Sequence, residues 1–262
     1  MTMLKALLFQ REREAPTPAV RLLNYAIAAA FLFAVFYLCF RSSAYRWDWA
    51  AVYRYRQKFL TGWMTTIVLA SCALLLSTIL GLIAALARRS RILSLNYFAK
   101  ISVELIRGTP LLVQILIFFY VVADAIGAEN RYVVGVLTLS IFSGAYISEI
   151  MRAGIESIGK SQLDSARAVG FTPRQTYRYV IFPQALRQTL PPLAGQFVSL
   201  VKDSSLLMII GISEFTLNAR EVASYTYSAF ESYLPLAVGY LALTLPISLW
   251  ARHLESRARF ET

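Results

Sequence analysis

The sequence predicts an all-helical integral membrane protein that crosses the bilayer about six times. Three observations predict it. The 262 residues are 57% hydrophobic and 16% charged, with a mean hydropathy of +0.54. An ordinary soluble domain carries about 25% charged residues, and a soluble chain of this size has no core large enough to hide that much apolar surface. The apolar residues gather in runs near the ~20 needed to span ~30 Å of hydrocarbon. The cations sit mainly between those runs.

The runs are Asn24 to Phe40, Gly62 to Ala87, Pro110 to Ile126, Tyr132 to Ile150, Leu190 to Gly211 and Tyr233 to Trp250. The first and third are only 17 residues long, so their ends are the least defined. The fifth contains Lys202, Asp203 and two prolines. Lys and Arg accumulate in cytoplasmic loops. With both termini inside, 18 of them fall on the cytoplasmic side and seven outside. Five of those seven (Arg41, Arg46, Arg54, Arg56 and Lys58) crowd the first outer loop. That loop runs against the rule and is easier to explain if the first run does not span.

The formal charge of +11 suits basic cytoplasmic loops as well as nucleic acid, and the placement of the charges favours the loops. Cys39 and Cys72 lie inside apolar runs, which suggests neither a disulfide framework nor a metal site. His253 falls in a basic C-terminal tail and reads as solvated. Met1 to Arg21 lacks an early apolar core, so no cleavable signal peptide is expected there.

One long polar stretch, Met151 to Thr189, separates the fourth and fifth runs. Ser161 can cap a helix beginning at Gln162. Leu163, Ala166 and Val169 recur on one helical face, and Gly170 offers a left-handed stop. Thr172-Pro173-Arg174-Gln175 restarts a helix with a capping box. Tyr177, Val180 and Ile181 continue an apolar stripe, and Pro183 ends or kinks the run. Two short amphipathic helices joined at a glycine can brace each other where one alone would fray. Such a hairpin fits a groove on another protein. It is also compatible with a solvated loop without a partner. A DNA-binding helix-turn-helix over Ala166 to Thr172 is disfavoured, because the hairpin is tethered to membrane helices at both ends.

This segment resembles a known family. Gln162-Leu163-Asp164-Ser165-Ala166-Arg167-Ala168-Val169-Gly170 followed by Val180-Ile181-Phe182-Pro183 is similar to the Glu-Ala-Ala loop of permease subunits from binding-protein-dependent ABC importers. The triplet here is Asp164-Ser165-Ala166, which keeps the charge and the small volume. Arg107-Gly108-Thr109-Pro110-Leu111-Leu112-Val113-Gln114, Pro183-Gln184-Ala185-Leu186-Arg187, Leu190-Pro191-Pro192-Leu193 and Lys202-Asp203-Ser204-Ser205-Leu206 resemble the polar amino-acid group (histidine, glutamine, glutamate, arginine, opine). The resemblance runs from about Thr61 to Arg259. It divides the chain into an N-terminal tail, extra helix and outer loop (1–60) and a permease domain (61–259) with its coupling loop at 151–189.

The resemblance implies a bacterial inner-membrane pore subunit that moves a polar amino acid or close derivative by alternating access. It implies two ATPase subunits, a second permease subunit, identical or homologous, and an extracytoplasmic solute-binding protein. It implies no nucleic-acid partner. Asp164, Ser165, Ala166, Arg167, Gly170 and Phe171 would form the coupling helix, with Ser165, Ala166 and Gly170 small enough for close approach to the ATPase groove.

The chain carries no G-x-x-x-x-G-K-[ST] cradle, so ATP and Mg would belong to a partner. No cofactor is expected in this chain. Lys202 and Asp203 within an apolar run are costly unless paired or facing water. They would meet a zwitterionic substrate in the pathway, or pair with Glu149 or Glu104, and both readings stand. Glu149 with Arg152 and Glu104 with Arg107 read as structural pairs. Pro191 and Pro192 would loosen the fifth span. Tyr225, Tyr227 and Tyr233 suit an interfacial belt.

A stand-alone secondary transporter is the alternative, but no second copy of the fifth run marks an internal repeat. A membrane enzyme would need a nucleophile with a base, or a metal cluster, which one tail histidine and two apolar cysteines do not offer.

Overall fold

The computed structural model describes residues 17–41, 45 and 47–258. The signal-peptide reading of residues 1–16, the charges of Lys5, Arg11, Arg13, Arg46 and Arg259, and the side chains of Cys39, Arg41 and Arg257 lie outside the described residues. The chain divides into two units, Met1–Trp47 and Asp48–Thr262.

The first unit contains α1 (Pro18–Arg41), 24 residues and longer than the run Asn24 to Phe40. Asn24 Nδ2 donates to the Val20 carbonyl at 2.8 Å, so an amide enters an apolar helix without an orphaned donor. Phe33 and Tyr37, one turn apart, stack at 6.3 Å.

The second unit begins with α2 (Trp49–Arg54) and α3 (Arg56–Ala87). Then come α4 (Leu93–Gly108) and α5 (Leu111–Ile117), which runs on as a π-helical turn, Phe118–Ala123. The long α6 (Arg131–Glu156) is followed by α7 (Lys160–Ala168) and α8 (Pro173–Thr176). A second π turn, Tyr177–Ile181, joins α8 to α9 (Phe182–Asp203), and a 3-10 segment, Ser204–Ile210, extends it. Last are α10 (Phe215–Thr226) and α11 (Ala229–Ala258).

Five helices in the described residues are long and apolar enough to span a bilayer, or six if one bent pair counts as a span. That pair, Leu93–Gly108 with Leu111–Ala123, turns through 109°. The expected third span at Pro110 to Ile126 is therefore the second limb of a corner rather than a plain crossing. The reason is local: Thr109 is extended and Pro110 lacks an N–H, so the ladder cannot continue.

Other expectations change as well. The first residue of α7 is Lys160, capped by Gly159 and not by Ser161. Pro183 does not end the helix, and helix runs from Pro173 to Ile210 over 38 residues. The π turn just before Pro183 absorbs its missing donor, as such turns do at sites of local strain. Pro191 and Pro192 likewise sit inside unbroken α9. The fifth span therefore begins well before Leu190, and His253 lies in α11 rather than in a tail.

The pairing of α3 with α6 is the backbone of the bundle. Along α3, Gly62, Thr66, Ala70, Ala73, Ser77, Gly81 and Ala85 are buried at helical spacing. A β-carbon on Gly81 would stand 2.6 Å from Ile147 Cγ2, so the two helices meet almost backbone to backbone. Lipid tails are as apolar as leucine, so membrane helices associate through such close packing of small residues. Ser140 Oγ donates to Val136 O at 2.6 Å and approaches Ala73 O at 3.4 Å, satisfying a hydroxyl inside the seam. α9 covers the pair with Ala185, Thr189, Leu193 and Leu200 along one stripe. Leu69, Ile115, Leu139, Leu200, Leu207 and Ile212 fill the shared core.

Candidate functional site

The loop between α6 and α9 is a two-helix tip. α7 closes with two nested bonds: Phe171 N–H donates to Ala166 O (3.0 Å) and Gly170 N–H to Arg167 O (2.9 Å). This is a Schellman closure, and it needs a left-handed residue, which Gly170 supplies at φ +81°. Thr172 then caps α8, with Gln175 completing the capping box read from the sequence. Phe171 packs across Tyr179 at 6.1 Å and ties the glycine turn to the start of the long helix.

The faces are distributed differently from the expectation. Ala166 is only 5% exposed and turns into the hairpin, whereas Val169 is 74% exposed, so these two do not share a face. Asp164, Ser165, Arg167 and Gly170 are exposed, and Arg167 Nη1 meets Asp164 Oδ1 at 3.2 Å on the outer surface of α7. Tyr177, Tyr179 and Phe182 add exposed rings below. A hollow of about 450 Å³, lined by Gln162, Pro183, Gln184 and Arg187, opens where α7 meets α9. The tip thus offers small, charged and apolar side chains outward, while Ala166 holds its own two halves together.

The tip stands on a firm base. Ser157 Oγ donates to Gly154 O at 2.8 Å and also bonds Gln188 of α9. Beside it, Glu149 of α6 receives Arg88 from the end of α3 at 2.6 Å, and Arg107 from the end of α4 lies 3.8 Å away. Arg152 bridges Glu149 and Glu156. One carboxylate therefore gathers the ends of three helices. The Glu149–Arg152 pair is as expected from the sequence. Arg107 turns to Glu149 and stacks over Tyr146 (5.4 Å) rather than pairing with Glu104, and Arg88 was not anticipated. Side chains 61 residues apart carry no mutual signal in one sequence.

Gln114 was also missed as a site. Its Nε2 reaches Ile106 O (2.7 Å), Thr109 O (3.2 Å) and Thr109 Oγ1 (2.8 Å). Thr109 Oγ1 in turn donates to Leu105 O at 3.0 Å. The corner frees carbonyls from the helical ladder, and Gln114 and Thr109 supply donors to them. Within the Arg107-to-Gln114 stretch, Thr109 and Gln114 thus hold the corner.

Lys202 is exposed and Asp203 half-buried at the far end of α9, and neither makes an ion pair among the described residues. Adjacent residues on a helix point about 100° apart, which keeps these two from facing each other. Glu149 and Glu104 are not their partners. At the same end Arg131 Nη1 donates to Gly211 O at 3.1 Å. Glu214, fully buried, caps α10 by accepting from Thr216 N–H and Leu217 N–H, both at 2.8 Å, and from the Tyr240 hydroxyl at 3.1 Å. Burial pushes its carboxyl above the usual glutamate range, against the lowering by those donors.

A family model described as binding-protein-dependent transport system inner membrane component matches residues 77–260. The glutamine transport system permease protein GlnP of Escherichia coli (strain K12) is 34% identical over 216 residues, which cover 82% of this chain and 99% of that one. The L-cystine transport system permease protein TcyB of Bacillus subtilis (strain 168) is 36% identical over 193 residues, covering 73% and 82% respectively. A solved structure described as an amino acid ABC transporter with histidines superposes with a TM-score of 0.76 at 34% identity, over 81% of this chain and 100% of that one. The MetNI methionine ABC transporter shares the fold, with a TM-score of 0.60 at 16% identity over 78% of this chain and 95% of that one.

Proposed function

The chain belongs to the family of binding-protein-dependent transport system inner membrane components, as a non-catalytic, multi-pass pore subunit, and from that premise we propose that its α7–α8 tip is the element a separate ATPase moves. The observation that carries this reading is Val169. An apolar side chain 74% exposed beside a closed Schellman turn leaves most of its surface open to a partner. Asp164, Ser165, Arg167 and Gly170 surround it outward, and Phe171 braces the turn from within. A tip this well closed, rooted through Ser157, Gln188 and the Glu149 cluster, transmits displacement to α6 and α9 rather than absorbing it.

ATP and Mg then act on the partner subunits, two per pair of permeases, with the tip and both termini on the cytoplasmic side. The basic residues around the tip favour that orientation. The cargo is a polar amino acid or close derivative. The relatives named for glutamine and cystine support the class. Lys202 and Asp203, charged and without ion pairs within a span, are the proposed pathway residues, since charge in hydrocarbon is tolerated where it faces water or a ligand. The 1–60 segment would precede the 61–259 permease domain as an added helix and loop.

The test is Val169→Asp. Because Val169 is largely exposed, the variant should insert and unfold near the wild-type temperature, while recovery of the ATPase with the permease falls about tenfold or more. Undiminished ATPase recovery together with normal amino-acid uptake overturns the assignment.

A further inference from the structure

We propose that the α3–α4 turn and the groove behind it bind one anionic phospholipid, with the phosphate between Arg89 and Arg91 and an acyl chain lying between α3 and α4. The groove has a volume of about 260 Å³ and is lined by Ile83, Ala84 and Ala87 of α3, and Leu95, Phe98 and Ser102 of α4, among others. Its lining is almost wholly apolar, and Phe98 in its wall is 69% exposed, as lipid-facing side chains are.

The mouth of the groove is charged and ordered. Arg88 is committed to Glu149, but Arg89 and Arg91 are exposed and make no ion pair among the described residues. The turn that carries them is fixed by Arg89 N–H to Leu86 O and Ser90 N–H to Ala87 O, each at 3.0 Å. Ile92 N–H to Ser90 Oγ at 3.1 Å and Asn96 Nδ2 to the Arg88 carbonyl complete it. α4 starts at Leu93 behind a residue with no side-chain cap, so the positive end of its dipole lies in the same turn as the two arginines.

An apolar slot beside two exposed arginines on an ordered turn matches a phosphodiester joined to an acyl chain. Basic clefts between membrane helices on the cytoplasmic side select such headgroups. A second copy of this chain is a poorer occupant, because a molecule of net charge +11 would bring its own cations toward these two.

The test uses the purified importer complex containing the full chain, delipidated in neutral detergent and read by native mass spectrometry. Phosphatidylglycerol should bind about tenfold or more tightly than phosphatidylcholine with the same acyl chains. The double variant Arg89→Gln, Arg91→Gln should erase that preference. Ala84→Phe, which fills the slot, should weaken both lipids by a similar factor without lowering the unfolding temperature. Equal binding of the two lipids by the wild type, or a preference that survives the double variant, overturns the proposal. So does displacement by glycerophosphoglycerol or inorganic phosphate at the affinity of the whole lipid, which would leave a simple anion site. A photo-crosslinker at Ser102 that captures only another permease chain would assign the groove to a subunit interface and also overturn it.

Discussion

Gly154 of α6 and Thr189 of α9 touch so closely that a β-carbon on the glycine would stand 2.2 Å from the threonine methyl. The contact lies at the root of the tip, where the helix entering the loop meets the helix leaving it.

Gly154→Leu should therefore pry α9 away from α6. Overpacking of this kind costs about 1–3 kcal/mol. The unfolding temperature of the purified chain should fall, and uptake should fall further than stability alone explains. A Gly154→Leu, Thr189→Gly double variant should recover part of both, which a double-mutant cycle would quantify.

Gly170 has a different constraint. A β-carbon there meets nothing within 4 Å, but the backbone sits at φ +81°. Gly170→Val should cost roughly 1–2 kcal/mol through backbone strain, fraying the α7 closure without any clash. Gly170→Asn should be milder, since asparagine tolerates the left-handed region. Hydrogen exchange at the amides of Gly170 and Phe171 should rise in the valine variant and change little in the asparagine one.

Gln114→Leu keeps the volume and deletes the donors that serve Ile106 and Thr109. Losing hydrogen bonds to these part-buried carbonyls costs about 0.5–1.5 kcal/mol each. A fall in unfolding temperature and a wider spread of distances across the Gly108–Pro110 corner, read by paired spin labels on α4 and α5, are the expected results. Unchanged values for both would show that the corner holds without it.

Glu214 makes stability depend on pH in a direction opposite to a surface-paired carboxylate. Its folded pKa lies above the unfolded value of about 4.3. Between those two values the folded chain holds a proton that the unfolded chain has released, so stability falls as pH rises through that window and then levels off. Unfolding temperatures measured upward from pH 4 should show this decline in the wild type. Glu214→Gln should flatten it, while losing one of the two amide bonds that cap α10 and with it about 1 kcal/mol.

The sequence alone determined what depends on neighbours along the chain. The apolar runs located the spans because lipid demands contiguous hydrocarbon. Thr172 and Gln175 announced their capping box, and Gly170 its left-handed turn, because those bonds close within a few residues. Tertiary structure alone decided which side of α7 is inside, turning Ala166 in and Val169 out, because a face becomes buried only when another helix arrives to cover it. It also drew Arg88 and Arg107 to Glu149, folded the expected third span into a corner held by Gln114, and carried helix through Pro183. Each of these rests on partners or backbone accommodations that no local pattern encodes.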